Sequence, residues 1–266
     1  SGISLDGKEY LYVNPLADRG NHRRQRWFAC ACCPPNIART ITAIPGYMYS
    51  VSSEGIWVHL YASSILELDI NSSRVTVKEE TDYPWDGDIE FVLEANSHFK
   101  LFLRKPGWCE KFSVSINGER INPILENSYI VIEKDWREGD TVRLNLVMNP
   151  ELLESHPRIK DNTGRVAIRR GPIIYCVEAE DNPWGDVWDL EISENTALVE
   201  EYRDILGGLV VVKGKGYVNG PESWNGLYLT RDKARVLKRE IEFVAIPYYA
   251  WANRNPGPME IWIKRS

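Results

Sequence analysis

From about residue 47 to residue 150 the chain is a succession of short runs in which apolar and polar side chains alternate, each closed by a turn. Residues 74–80, 88–94, 99–104 and 112–116 all follow this period of two, which places one set of side chains on each face of a strand. Residues 47–51 and 55–61 read as two further strands around a Ser-Ser-Glu-Gly turn. Asn117-Gly118 is the strongest hairpin signal in the chain, and residues 129–132 and 141–146 continue the pattern on either side of Arg137-Glu138-Gly139-Asp140. Strands this short and this regularly spaced predict an antiparallel sandwich or jelly roll.

The next segment, 151–249, has a different texture. Residues 166–168 and 172–177 are almost unbroken apolar runs, as in strands buried on both faces. Residues 209–212 and 236–244 read as strands of a second sheet unit, with 214–225 between them, and 259–264 forms a final strand. Lys213-Gly214-Lys215-Gly216 lacks the spacing of a phosphate loop. Trp184, Asp186, Trp188 and Asp189 are a candidate sugar-facing patch; an ordered surface loop is the simpler expectation. Cys109 and Cys176 read as inert packed thiols, and His59 as a satisfied strand histidine. His22 and the arginines beside it read as a solvated loop.

The chemistry concentrates elsewhere. Three of the five cysteines stand at 30, 32 and 33, immediately before the clearest helix start in the chain. Pro34 and Pro35 suit a first helical turn, Ile37, Ile41 and Ile44 share one helix face, and Pro45-Gly46 ends it. Cys32 and Cys33 therefore lie at a helix N-terminus, where unpaired N–H groups and the positive dipole end favour a thiolate. Arg23, Arg24 and Arg26 lie just upstream as a source of positive potential. Such a thiolate is a nucleophile, a metal ligand or a redox centre. A closed structural zinc site draws four ligands from two separated pairs, and no second cluster follows here. Cys30 and Cys33 have Cys-x-x-Cys spacing but lack the βαβ context of a redox motif.

Cys-Cys-Pro-Pro-Asn at 32–36 resembles the active-site motif of glycoside hydrolase family 127, the β-L-arabinofuranosidases. Further stretches resemble family landmarks in family order: Tyr12-Val13-Asn14-Pro15-Leu16, Tyr83-Pro84-Trp85, Leu103 to Trp108, Gly164 to Ala167, Arg170-Gly171-Pro172, and Ile246 to Arg254. The resemblance implies a long (α/α)6 catalytic barrel ahead of this region, supplying a Glu-x-Cys pair that completes a zinc site and a glutamate acid/base. No Glu-x-Cys stands upstream of Cys30, so the chain resembles the C-terminal part of such an enzyme. Carried over, Cys32 is the nucleophile and a zinc ligand, and Cys33 a second ligand. The substrate-binding residues are not identified from the sequence. The implied reaction is a retaining double displacement at a plant-type glycan.

The expected architecture is therefore mainly β. Residues 1–49 are the helical remnant of the barrel. Residues 50–150 form a first β-sandwich that takes back the C-terminal strand, 250–266, and residues 151–249 form a second. By itself the chain is expected to be inactive, with a zinc site that only the helical barrel completes. A non-catalytic β-sandwich module for carbohydrate binding or oligomer assembly is the alternative. The net charge of −6 argues against a nucleic-acid surface, and no apolar run spans a membrane. Expected partners are the glycan and the barrel, with a homodimer open. Five cysteines, three of them crowded together, are not a disulfide framework and favour a reducing, cytoplasmic setting. Periplasmic or secreted placement stays open, because Ser1 need not be the natural start.

Overall fold

The computed structural model describes residues 2–30, 32–220, 227–230 and 237–266. The chain is mainly β and forms two compact units, one of Cys30–Asn149 and one of Ser1–Ala29 with Pro150–Ser266.

The first elements in chain order are strand β1 (Ala17–Arg19) and helices α1 (Cys33–Ala43) and α2 (Pro45–Met48). Strands β2 (Tyr49–Ser52), β3 (Gly55–Val58), β4 (Ser64–Ile70), β5 (Ser73–Thr81), β6 (Asp88–Glu94), β7 (Ser97–Arg104) and β8 (Phe112–Ile116) follow. Then come β9 (Glu119–Ile121), β10 (Ile124–Glu126), β11 (Tyr129–Trp136) and β12 (Asp140–Leu146).

In the unit of residues 30–149 these strands make a five-stranded sheet, ordered β10-β11-β7-β3-β2, and a six-stranded sheet, ordered β4-β5-β6-β12-β8-β9. The period of two does the work expected of it. Ile56, Leu101, Leu103 and Ile130 of the first sheet, and Val77, Phe91, Leu93 and Leu144 of the second, join in one hydrophobic core. Asn117 and Gly118 both take positive φ, 52° and 84°, as a two-residue hairpin between β8 and β9 requires. Glu79 breaks the pattern: it occupies an inward position of β5 and is 1% exposed.

The unit built from both ends of the chain contains β13 (Pro150–Glu154), β14 (Arg165–Arg170), β15 (Ile173–Glu178), β16 (Glu191–Ile192) and β17 (Val199–Arg203). It also holds β18 (Leu209–Gly220), β19 (Leu237–Pro247), β20 (Pro258–Glu260) and β21 (Ile263–Arg265). Here the expected second sandwich is corrected. β14 pairs with β15, β15 with β19, β19 with β18, β18 with β16, β16 with β21, and β21 again with β14. Six strands thus close on themselves as a barrel. One cluster draws side chains from all six, among them Val166, Tyr175, Ile192, Val212, Phe243 and Ile263. A second cluster takes the alternate positions, including Ala167, Cys176, Val211, Val244 and Ile246. Both faces of these strands are buried, which is why their sequences are unbroken apolar runs.

Gly214 and Gly216 face the barrel interior. A Cβ at 214 would lie 2.7 Å from Phe243 Cζ, and one at 216 would lie 2.6 Å from Leu190 Cδ1. Glycine there leaves room for a large neighbour, and Lys215 between them is exposed.

Two boundaries also differ from the expectation. The C-terminal segment does not return to the sheets of residues 49–146; β20 pairs with β15 and β1, and β21 with β14 and β16. Residues 1–29 belong with 150–266 rather than with the helix that follows them. Arg24 shows why: its guanidinium donates to the carbonyls of Gly2 and Trp251, at 2.9 and 2.8 Å. Tyr10 makes single bridges with Ile3 and Gln25. The strand expected from 236 is described from Leu237, and the stretch placed between the strands, 214–225, belongs to β18 as far as Gly220, with 221–226 outside the described residues. Among the described residues no helix is long and apolar enough to cross a membrane.

Candidate active site

Helix α1 begins where the double proline predicts. Cys32 is its N-cap residue, with φ −71° and ψ −36°, and Cys33 is its first residue. Pro34 and Pro35 contribute no N–H, so of the first four helical residues only Cys33 and Asn36 carry donors. No acidic side chain occupies the first turn. The positive end of the helix therefore faces thiols rather than a carboxylate.

Three sulfurs gather there. Cys32 Sγ lies 3.2 Å from Cys30 Sγ and 3.5 Å from Cys33 Sγ. Cys30 and Cys32 are exposed and Cys33 half-buried. Exposure matters, because a nucleophile must be reached.

The donor set can be tested against zinc. Two sulfurs at about 2.3 Å from a tetrahedral ion sit about 3.8 Å apart. The 3.5 Å between Cys32 and Cys33 is close to that, and thiolates are the donor type zinc prefers. The pair fits two positions of such a shell. Among the described residues no three His, Cys, Asp or Glu side chains form a group able to hold a metal, so the other positions are not filled from them.

The remaining candidates have local duties. His59 contacts Tyr129 Oη and Ser50 Oγ, both at 2.7 Å, and burial, with help from Arg104, lowers its pKa. His98 pairs with Asp135 and Glu133 on the surface. Cys109 and Cys176 are buried, and burial pushes both thiols up. Of the upstream arginines, Arg24 is committed to backbone carbonyls and Arg26 faces Glu9. The tryptophan patch is structural: Arg19 stacks 3.7 Å from the Trp188 ring, whose Nε1 donates to Met259 O, and Asp186 caps the turn beneath.

Sequence reasoning missed His22. Its Nδ1 lies 2.6 Å from Oδ1 of Asp18, a carboxylate 4% exposed on β1. Burial pushes that carboxyl up, but the bonds from His22 and the Gly20 N–H outweigh it and hold it low. The Asp-x-x-x-His spacing was the available signal, legible only once Asp18 was known to be buried.

Three models of one family cover almost the whole chain. The GH127 catalytic-domain model of β-L-arabinofuranosidase matches residues 1–46, the middle-domain model 55–148 and the C-terminal-domain model 150–264. The chain belongs to glycoside hydrolase family 127. A non-reducing end β-L-arabinofuranosidase from Bifidobacterium longum subsp. longum is 33% identical over 289 residues, spanning all of this chain and 43% of the relative. The crystal structure of a GH127 β-L-arabinofuranosidase from Geobacillus stearothermophilus T6 superposes with a TM-score of 0.92 at 37% identity, over all of this chain and 44% of that one. A GH127 β-arabinofuranosidase structure gives 0.87 at 31% identity, over all of this chain and 43% of the other. The chain thus spans less than half the length of these relatives.

Proposed function

We propose that this chain carries the nucleophile of a retaining β-L-arabinofuranosidase, with Cys32 as that nucleophile. The observation that carries the reading is an exposed thiol at the N-terminus of α1, beside a second thiol, in a chain of this family. The Cys32 thiolate attacks the anomeric carbon of an L-arabinofuranoside. A C–S bond forms as the glycosidic C–O bond breaks, and a carboxylic acid protonates the leaving oxygen. Water then attacks the same carbon, the C–S bond breaks, and two inversions leave the configuration unchanged. Cys32 and Cys33 would hold zinc, which when bound keeps a thiol ionised at neutral pH.

The acid and the remaining zinc ligands lie beyond the described residues in this reading. The exposed face of α1, which buries no residue, suits a helix that is one wall of a helical barrel. The core shared by the two sheets of residues 49–146 supports the sandwich reading for that unit. Exposed thiols that form no disulfide suit a reducing compartment.

The test is turnover of an aryl β-L-arabinofuranoside by the polypeptide of full family length. Cys32→Ser is expected to lower kcat by more than about a thousandfold with the fold intact, since the thiol nucleophile is lost. Wild-type turnover in that variant would refute the assignment.

A further inference from the structure

The outer face of the six-stranded sheet carries a groove for which the glycosidase chemistry has no use. Alternation sends Val77, Phe91 and Leu144 into the core and the side chains between them outward. Register then aligns an outward row across five strands. Glu80 stands opposite Glu90, Glu90 opposite Arg143, Arg143 opposite Ser115, and Ser115 opposite Arg120. At about 4.8 Å per strand the row runs about 19 Å. A shallow, open groove of about 1100 Å³ runs over this face. The loop between β5 and β6 contributes Asp82 and Asp86 to its wall, and Trp85 of that loop is 53% exposed.

Three features separate this groove from an ordinary wet sheet face. Glu80 and Glu90 are direct cross-strand partners, and like charges in that position destabilise a pair. Each is steered by a cation beside it: Lys78 pairs with Glu80, and Arg143 with Glu90 at 2.7 Å. Asn145 Nδ2 likewise donates to Asp88 Oδ1 at 2.6 Å. The row and the Asn145–Asp88 pair beside it therefore present oriented two-pronged groups, carboxylate, guanidinium and amide, which suit neighbouring hydroxyl pairs. Trp85 belongs to the same loop as Asp82 and Asp86, and an exposed indole is a surface on which an apolar sugar face can rest. With the inward Glu79 set aside, five acidic side chains line the groove against three basic ones, which repels a polyanion.

We infer that this groove binds a neutral oligosaccharide chain without cleaving it, holding glycan against the enzyme at a second place. The inference does not depend on the role of Cys32.

The test is affinity electrophoresis of the protein in gels containing linear arabinan, with polygalacturonate as the acidic control. Retardation by arabinan and none by polygalacturonate is expected. The double variant Glu90→Gln, Arg143→Met should weaken retardation about tenfold, and Arg120→Ala, on the edge strand, should weaken it while leaving the urea midpoint unchanged. Cys32→Ser should be retarded like wild type, whatever its turnover. No retardation by arabinan, equal retardation by polygalacturonate, or wild-type retardation of both groove variants would overturn the inference.

Discussion

Replacing Glu79 by glutamine is expected to stabilise the unit of residues 30–149 at alkaline pH and leave it nearly unchanged at acidic pH. Glu79 lies 1% exposed in the core. Burial pushes its carboxyl up, the bonds from Tyr49 Oη and the Ala62 N–H pull it partly back, and it settles at about 7 against an ordinary 4.5. Those bonds are 2.7 and 2.9 Å long, and Tyr49 Oη also touches Ser64 Oγ at 2.7 Å.

Below pH 4.5 the carboxyl is protonated whether the chain is folded or not, and its contribution to stability is complete. Between 4.5 and about 7 the unfolded chain releases the proton and the folded one keeps it, so stability falls as pH rises. The interval from 4.5 to about 7, at about 1.4 kcal/mol per pH unit, amounts to about 3 kcal/mol lost by pH 8. A glutamine amide does not titrate. Its oxygen can accept the Ala62 N–H and its nitrogen can donate to Tyr49 Oη, so neither buried partner is orphaned.

Urea denaturation at pH 5 and pH 8, followed by the fluorescence of the buried Trp136, measures the effect. Wild type should lose about 3 kcal/mol more than Glu79→Gln between the two values. Parallel losses would refute the reasoning, because the carboxyl would then be ionised in the fold without cost.

Asp140 gives the opposite sign. Burial pushes its carboxyl up, but bonds from Asn117, Lys134 and the Arg137 N–H outweigh this and hold it at about 2. Its contribution is present above pH 3.8 and lost as pH falls through 2, about 2 kcal/mol in all; acid titration of stability should show that loss in wild type and not in Asp140→Asn. Arg254 bonds both Glu178, which is 1% exposed, and Asp181. Arg254→Met should cost about 3–5 kcal/mol in denaturant melts, because it leaves the buried Glu178 carboxylate without its cation. Gly214→Ala should cost about 1–3 kcal/mol through its contact with Phe243, and Phe243→Leu in the same chain should recover part of that.

How much of this was legible depended on range. The strands of residues 49–146 could be read because alternation is local, and Asn117-Gly118 fixes a turn from two residues alone. The start of α1 could be read because two prolines and a helical apolar spacing lie side by side. The barrel could not. Its closure rests on β16, two residues long, and β21, three residues long, pairing in parallel across more than seventy positions of sequence. No local pattern encodes that pairing. The buried runs were visible, but a strand covered on both faces looks the same in a barrel as in a sandwich. Glu79 and the Asp18–His22 pair were hidden for a related reason. A charged residue reads as exposed until its neighbours are known.

The thiol assignment has one direct measurement: stopping the full-length enzyme during turnover of an L-arabinofuranoside and mapping its peptides by mass. The expected result is one pentosyl residue on the peptide containing Cys32, absent when the thiol is replaced by serine. A sugar carried instead on a carboxylate peptide, with Cys32 unmodified, would contradict a sulfur nucleophile.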